Sequence, residues 1–279
     1  MSSLERRRLK SRVMMIAAMA ATGLGLMVLA AILATLLIRG VSALDLSLFT
    51  QSTPPPGMAG GLANAIYGSV VMTLTALVIA TPLGILAGTA LNEFSGGSRL
   101  VHIAGFVNDV LLAAPSIVIG LFVYAVMVVP MRHFSAWAGA VALAIIALPV
   151  IVRTTQDMLA LVPVALREAA AALGTPRWKI MTAIVWRAAR SGLMTGVLLA
   201  FARVAGETAP LLFTALSNQY WNANMNAPMA NLPVVIFQFA MSPYEDWQRM
   251  AWGGALIITF AILVINLIAR GLGRSRSSR

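Results

Sequence analysis

The sequence contains no cysteine. Disulfides, thiolate metal sites and thiol nucleophiles are therefore excluded. Only two histidines are present, His102 and His133, far apart along the chain, so little is available for a histidine metal site, and no metal or other cofactor is expected. Charge is scarce too: 10% of the 279 residues are charged and 9 are acidic, against 59% hydrophobic residues. Ordinary soluble domains carry about a quarter charged residues, so this balance points to a protein that crosses a membrane several times. No G-x-x-x-x-G-K-[ST] motif occurs, which excludes ATP binding by a P-loop; work done here draws on a partner chain or an ion gradient. Internal repeats are lacking as well, so an inverted-repeat carrier gains no support. The net charge of +11 could suggest nucleic acid. The Lys and Arg residues instead cluster between apolar runs, and no nucleic-acid partner is expected.

What is present is a series of apolar runs. Residues 1–12 form a basic tail with Arg6, Arg7, Arg8, Lys10 and Arg12. The run at 13–38 is longer than the roughly 7–15 apolar residues of a signal-peptide core, so it reads as a retained transmembrane helix despite the Arg7–Arg8 pair and the Val41–Ser42–Ala43 segment. Residues 39–66, broken by Pro54–Pro55–Pro56–Gly57 and Gly60–Gly61, form a loop. A core over 67–268 follows, with spans expected at about 67–91, 106–129, 137–152, 192–213 and 251–268. Pro82–Leu83–Gly84 predicts a kink or a close helix contact in the second span. Asn92–Glu93 and Gly96–Gly97 close that span. Pro149 and Arg153 mark the expected exit of the fourth. The long segments between spans are 153–191, which is basic, and 214–250, whose apolar piece Leu232–Met241 is too short to cross. Residues 269–279 form a second basic tail.

Loop charge sets the orientation. The tails and the 153–191 loop carry most of the Lys and Arg, whereas after Arg39 the loops on the other side hold only Arg132 and Arg249. The expected architecture is thus an all-α integral membrane protein with six transmembrane helices and both termini in the cytoplasm.

Two intramembrane stretches stand out. Arg203 and Glu207 lie in the fifth span, with Arg203 roughly 18 Å into a hydrocarbon core about 30 Å thick. Charges at such depth are costly and usually functional. At i,i+4 on one helix face they could neutralise each other. Alternatively, Arg203 could line a path, where a guanidinium binds an oxyanion in a fork that lysine cannot reproduce. Pro115–Ser116 interrupts the third span. A proline there frees a backbone carbonyl, for which the Ser116 hydroxyl is one local partner. A nucleophilic role for Ser116 lacks a base, because His102 and His133 flank opposite ends of that span. A proton-coupled carrier using Glu207 is a further alternative.

Glu168–Ala169–Ala170, then Gly174 and Ile184, resembles the E-A-A-x-x-x-G-x(9)-I-x-L-P loop of permease subunits of bacterial ABC importers. The match departs at Trp186–Arg187, where Leu-Pro is usual. Ala113–Gly120 (A-A-P-S-I-V-I-G), Leu91–Phe94 (L-N-E-F), Leu148–Thr155 (L-P-V-I-V-R-T-T) and Ala202–Leu211 (A-R-V-A-G-E-T-A-P-L) are similar to segments of phosphate-specific importer permeases, with order and loops like those of the PstA type. The resemblance covers roughly residues 60–268. It implies the type I ABC importer permease bundle in a bacterial inner membrane and a transporter subunit rather than an enzyme. It also implies a sister permease subunit, two ATP-binding cassette ATPase subunits docking at Glu168, Ala169, Ala170 and Gly174, and a periplasmic binding protein that delivers inorganic phosphate. Arg203, Glu207, Pro115 and Ser116 would line the translocation path. Sulfate, molybdate and phosphonate importers are the neighbouring alternatives.

Overall fold

A computed structural model describes residues 3–93 and 99–274. Met1, Ser2, Phe94, the Gly96–Gly97 pair, Arg276 and Arg279 lie outside the described residues. Among those described, every regular element is helical. In chain order they are α1 (Ser3–Ala43), α2 (Ser47–Thr50), α3 (Ala63–Glu93), α4 (Arg99–Ala113), α5 (Ser116–Val123), a π-helical turn (Tyr124–Val128), α6 (Val129–Met131), α7 (Ala136–Ala160), α8 (Val164–Ala172), α9 (Arg177–Lys179), a second π-helical turn (Ile180–Val185), α10 (Trp186–Val204), α11 (Ala209–Thr214), α12 (Leu232–Ala240) and α13 (Glu245–Arg274). Among the described residues five helical stretches are long and apolar enough to cross a membrane, and a sixth arises if α4 and α5–α6, bent by 106°, count as one broken span.

The core sits where α3 and α7 pack side by side. Met72, Ala76 and Ala80 of α3 are buried with Leu143, Ala147 and Ile151 of α7. A Cβ on Gly88 would stand 2.6 Å from the Cβ of Thr155. Only glycine permits the two helices to come this close, as small residues do in membrane bundles generally. Pro82–Leu83–Gly84 thus serves a close contact: a Cβ on Gly84 would stand 2.7 Å from Ile151. α10 crosses the same face of α7, its Gly196 seated against Thr154.

Several expected boundaries move. The helix of the fourth span does not end at Arg153. α7 runs through Pro149 and Arg153 to Ala160. Pro149 is buried in the bundle, where neighbouring helices make a helix-interior proline tolerable. The third span is not one helix. The chain turns at Ala114–Pro115, and Pro115 precedes the first turn of α5, with the Val118 N–H donating to the Pro115 carbonyl at 3.0 Å. A proline's fixed φ suits it to a helix start, so it begins a helix here and frees no mid-helix carbonyl. The fifth span starts early and stops early. Helical structure is continuous from Arg177 to Val204, breaks, and resumes as α11. The basic segment expected at 153–191 therefore shrinks to residues 161–176 plus the exposed faces of the helices on either side. α12 packs into the bundle: Leu232, Val235 and Phe239 are buried with Leu62, Ala65 and Met250. Asn231 caps it by accepting from the Val234 N–H at 3.1 Å.

α1 is nearly alone. Its last turns lie against the start of α13. Arg39 sits 5.4 Å from the Trp252 ring centroid, and Gly40 abuts Leu256. The two helices are antiparallel, so the start of α1 and the end of α13 lie at the same end of the bundle. Glu93, at the end of α3, meets Arg167 of α8, which places α8 at that end too.

Candidate functional site

The Glu168 segment forms a compact helical knob. Pro163 and Pro176 stand just before the two short helices, positions that suit a residue without an N–H. Between them, Gly174 takes φ +74°. Its N–H donates to the Ala171 carbonyl at 2.9 Å, and the Thr175 N–H donates to the Ala170 carbonyl at 3.2 Å. This bond pair is the Schellman closure, and glycine meets its left-handed φ at least cost. A Cβ on Gly174 would meet nothing within 4 Å, so the constraint is conformational and not steric. Glu168, Ala169, Ala171 and Ala172 are exposed, whereas Ala170 is buried beside Ile180 and Val185 and holds the knob together. The knob also carries bare apolar groups: Leu173 is 86% exposed and Trp178 64%. At a loop tip such groups mark a surface for a partner. Sequence reasoning passed over both, because neither belongs to the recognised spacing. Their signal was an apolar residue on each side of a Gly-Thr-Pro turn.

Beneath the knob, Arg167 makes an ion pair with Glu93 at 3.1 Å and donates to the carbonyls of Val162 at 2.9 Å and Leu159 at 2.8 Å. Trp186, the residue that departs from the recognised pattern, donates its indole N–H to the Thr89 hydroxyl at 3.0 Å.

The second candidate region lies deeper in the bundle. Arg203 is the penultimate residue of α10, and Glu207 lies in the break before α11. The expected i,i+4 pairing on one helix face fails for this reason. Arg203 is exposed and Glu207 half-buried, and among the described residues no N···O contact within 4.0 Å joins them. The break brings two recognised segments together: a Cβ on Gly120 of α5 would lie 2.6 Å from the Cα of Pro210. Pro115 and Ser116 thus belong to the helix that packs on the Arg203–Pro210 break. Pro115 is exposed, Ser116 is half-buried, and the Ser116 hydroxyl makes no hydrogen bond among the described residues. Chemically, an arginine held at a helix end without a carboxylate partner presents its fork of donors to an anion.

A further charged group escaped sequence reasoning. Arg153 of α7 contacts Asp109 of α4 at 3.8 Å and Asp157 at 3.5 Å, all three well exposed. The Arg153–Asp157 spacing of four residues was readable as a helix pair, but the segment had been assigned to a loop.

Comparison with known proteins places these features. The family of binding-protein-dependent transport system inner membrane components matches residues 80–277. The phosphate transport system permease protein PstA of Pasteurella multocida is 56% identical over 264 residues, covering 95% of this chain and 94% of that protein. PstA 1 of Mycobacterium tuberculosis strain H37Rv is 40% identical over 217 residues, covering 77% of this chain and 70% of its own length. Among solved structures, an inward-facing MetNI methionine ABC transporter aligns with TM-score 0.66 at 17% identity, covering 77% of this chain and 95% of that one. An amino acid ABC transporter aligns with TM-score 0.53 at 18% identity, over 75% of this chain and 89% of that one. At these identities the structural matches establish the fold, one shared with these ABC transporter chains.

Proposed function

The chain belongs to the binding-protein-dependent transport system inner membrane components, and from that premise we propose that it is the PstA-type permease subunit of an ATP-driven phosphate importer. The observation that carries this is 56% identity to a phosphate permease along nearly the whole chain. It is a transporter subunit of the inner membrane, not an enzyme; ATP is hydrolysed in a partner chain. Its partners are a sister permease subunit, two ATP-binding cassette ATPase subunits and a periplasmic phosphate-binding protein.

In this reading the tails and the 161–176 knob face the cytoplasm, because the bundle end that carries them also carries most of the basic residues. Glu168, Ala169, Ala170 and Gly174 form the ATPase-docking element. Its exposed alanines allow close approach, Leu173 and Trp178 supply apolar area, and Glu168 sets orientation. Arg203, Glu207, Pro115 and Ser116 line the half-path contributed by this chain. Arg203 takes phosphate oxygens in a bidentate fork, and the helix break at Ala205–Thr208 lets the arginine and Glu207 change partners as phosphate passes.

The test is isolation of the chain from native membranes, identification of the co-purifying subunits, and reconstitution of the assembly. Phosphate uptake that requires ATP and the binding protein, and that excess sulfate or molybdate does not suppress, is expected. Uptake by this chain alone, driven by a pH gradient, would contradict the proposal. Orientation is tested by single cysteines: Ser52→Cys should react with an impermeant thiol reagent from outside, and Thr175→Cys only after the membrane is opened.

A further inference from the structure

We propose that Thr89 and Glu93, at the inner end of α3, are the points at which the docking knob delivers its motion to the bundle, through Trp186 and Arg167. The inference rests on the reading of the Glu168–Gly174 knob as the ATPase-docking element. It assigns a role to a carboxylate and a hydroxyl that this reading leaves unused.

Thr89 and Glu93 are four residues apart on α3 and share one helix face. Each receives one tie from the knob region. Glu93 Oε1 pairs with Arg167 Nη2 at 3.1 Å and also accepts from Asn92 Nδ2 at 3.0 Å. Both partners of the ion pair are largely buried, with side-chain exposures of 19% for Arg167 and 23% for Glu93. The same guanidinium donates to Leu159 and Val162, so one side chain joins α8, the end of α7 and the end of α3. A lysine could not hold three such partners in fixed geometry. The second tie is Trp186 Nε1 to Thr89 Oγ1 at 3.0 Å. The Thr89 hydroxyl donates to the Ile85 carbonyl at 2.6 Å, so its proton is already committed and a lone pair is left for the indole.

A cavity of about 390 Å³, bounded by Thr89, Glu93, Arg167 and Met181, separates the knob from α3. The two polar ties span from α3 to the knob side beside this cavity. The π-helical turn Ile180–Val185 immediately precedes Trp186. A π turn adds one residue to a helical turn, which changes the direction of whatever follows it. Tryptophan in place of the usual residue at 186 is thus the donor for one of the ties. Because α3 packs along the length of α7 in the core, displacement of α3 reaches the region of Arg203.

The experiment uses the intact reconstituted importer and reads phosphate moved per ATP hydrolysed, alongside subunit stoichiometry. Glu93→Gln and Thr89→Val complexes should retain both ATPase subunits and hydrolyse ATP, yet move less phosphate per ATP by roughly two- to thirtyfold, the range for residues along a coupling network. The double variant Glu93→Gln/Arg167→Gln should fall no further than the worse single one, as residues acting through one contact do. Thr89→Val preserves volume and removes only the hydroxyl, which accepts from Trp186 and donates within its own helix to Ile85, so it carries the test if Glu93→Gln lowers complex yield. Wild-type phosphate per ATP in the Thr89→Val and Glu93→Gln complexes, whatever their yield, would overturn the proposal. Failure of the docking reading looks different: Glu168→Lys and Gly174→Leu would then recruit the ATPase and transport normally.

Discussion

Arg167 is half-buried and Arg203 exposed, and their surroundings are opposite. Arg167 has a carboxylate at 3.1 Å and two carbonyls within 2.9 Å. Among the described residues Arg203 has no carboxylate within 4.0 Å, although Glu207 is four residues away in sequence. The chain satisfies the half-buried guanidinium of Arg167 at the end of the bundle where helices join the knob. Deeper in, it breaks α10 just after Arg203 and leaves the donors open. A paired arginine fixes geometry; an open one in a membrane bundle is available to a ligand.

The comparison is broken most severely by replacing the open arginine. Arg203→Lys keeps the charge and loses the fork, and phosphate uptake by the assembled importer should fall on the order of a hundredfold, the effect of removing a preorganised donor from a charge-stabilising site. Uptake near the wild-type level would mean that charge alone suffices and that the fork geometry has no role.

The next largest effect separates conformation from packing in the knob. At Gly174 any side chain has room but must adopt φ +74°, which costs a non-glycine residue roughly 1–2 kcal/mol. Gly174→Ala should reduce ATPase recruitment, and Gly174→Asn, which tolerates the left-handed region, should lose less. ATPase co-purification measures both. Equal loss in the two variants would point to a steric role at the interface instead.

The spans, the knob and its glycine turn were legible in the sequence because each rests on local chemistry: apolar length, proline at helix starts, glycine where φ must be positive. The Arg203–Glu207 pair was misread because helix continuity was inferred from an apolar run, and an apolar run does not report a break at Ala205–Thr208. Pro149 and Pro115 show the same limit in opposite directions. One proline sits inside a helix because buried neighbours tolerate it, and the other begins a helix where an interruption was expected. Trp186 was legible only as a departure from the recognised pattern, since its partner Thr89 is 97 residues away. Contacts of that range are made by packing and leave no local trace.

The comparison can be sharpened through stability. Arg167→Met leaves Glu93 largely buried without its cation and removes the guanidinium's bonds to the Leu159 and Val162 carbonyls, so it should lower stability by about 1–3 kcal/mol. Arg203→Met breaks no ion pair and should leave stability unchanged or slightly raised. Thermal unfolding of the detergent-solubilised importer distinguishes them. Equal destabilisation would remove the contrast between the two arginines. The smallest effect is expected at Arg153, whose ion pairs of 3.5 and 3.8 Å are well exposed. Arg153→Gln should change stability by less than about 1 kcal/mol, and a larger loss in the same unfolding assay would show that the pair is shielded in the assembled importer.

The most direct test of the open-arginine account is the double variant Arg203→Leu/Glu207→Leu, assayed for membrane abundance, subunit assembly and ATP-driven phosphate uptake. If the two residues served only to neutralise each other, removing both would leave a functional, better-solvated helix in lipid, and uptake would be retained. With Arg203 as the phosphate ligand, the double variant inserts and assembles as the wild type does and transports no phosphate. Full uptake by the double variant would contradict the account.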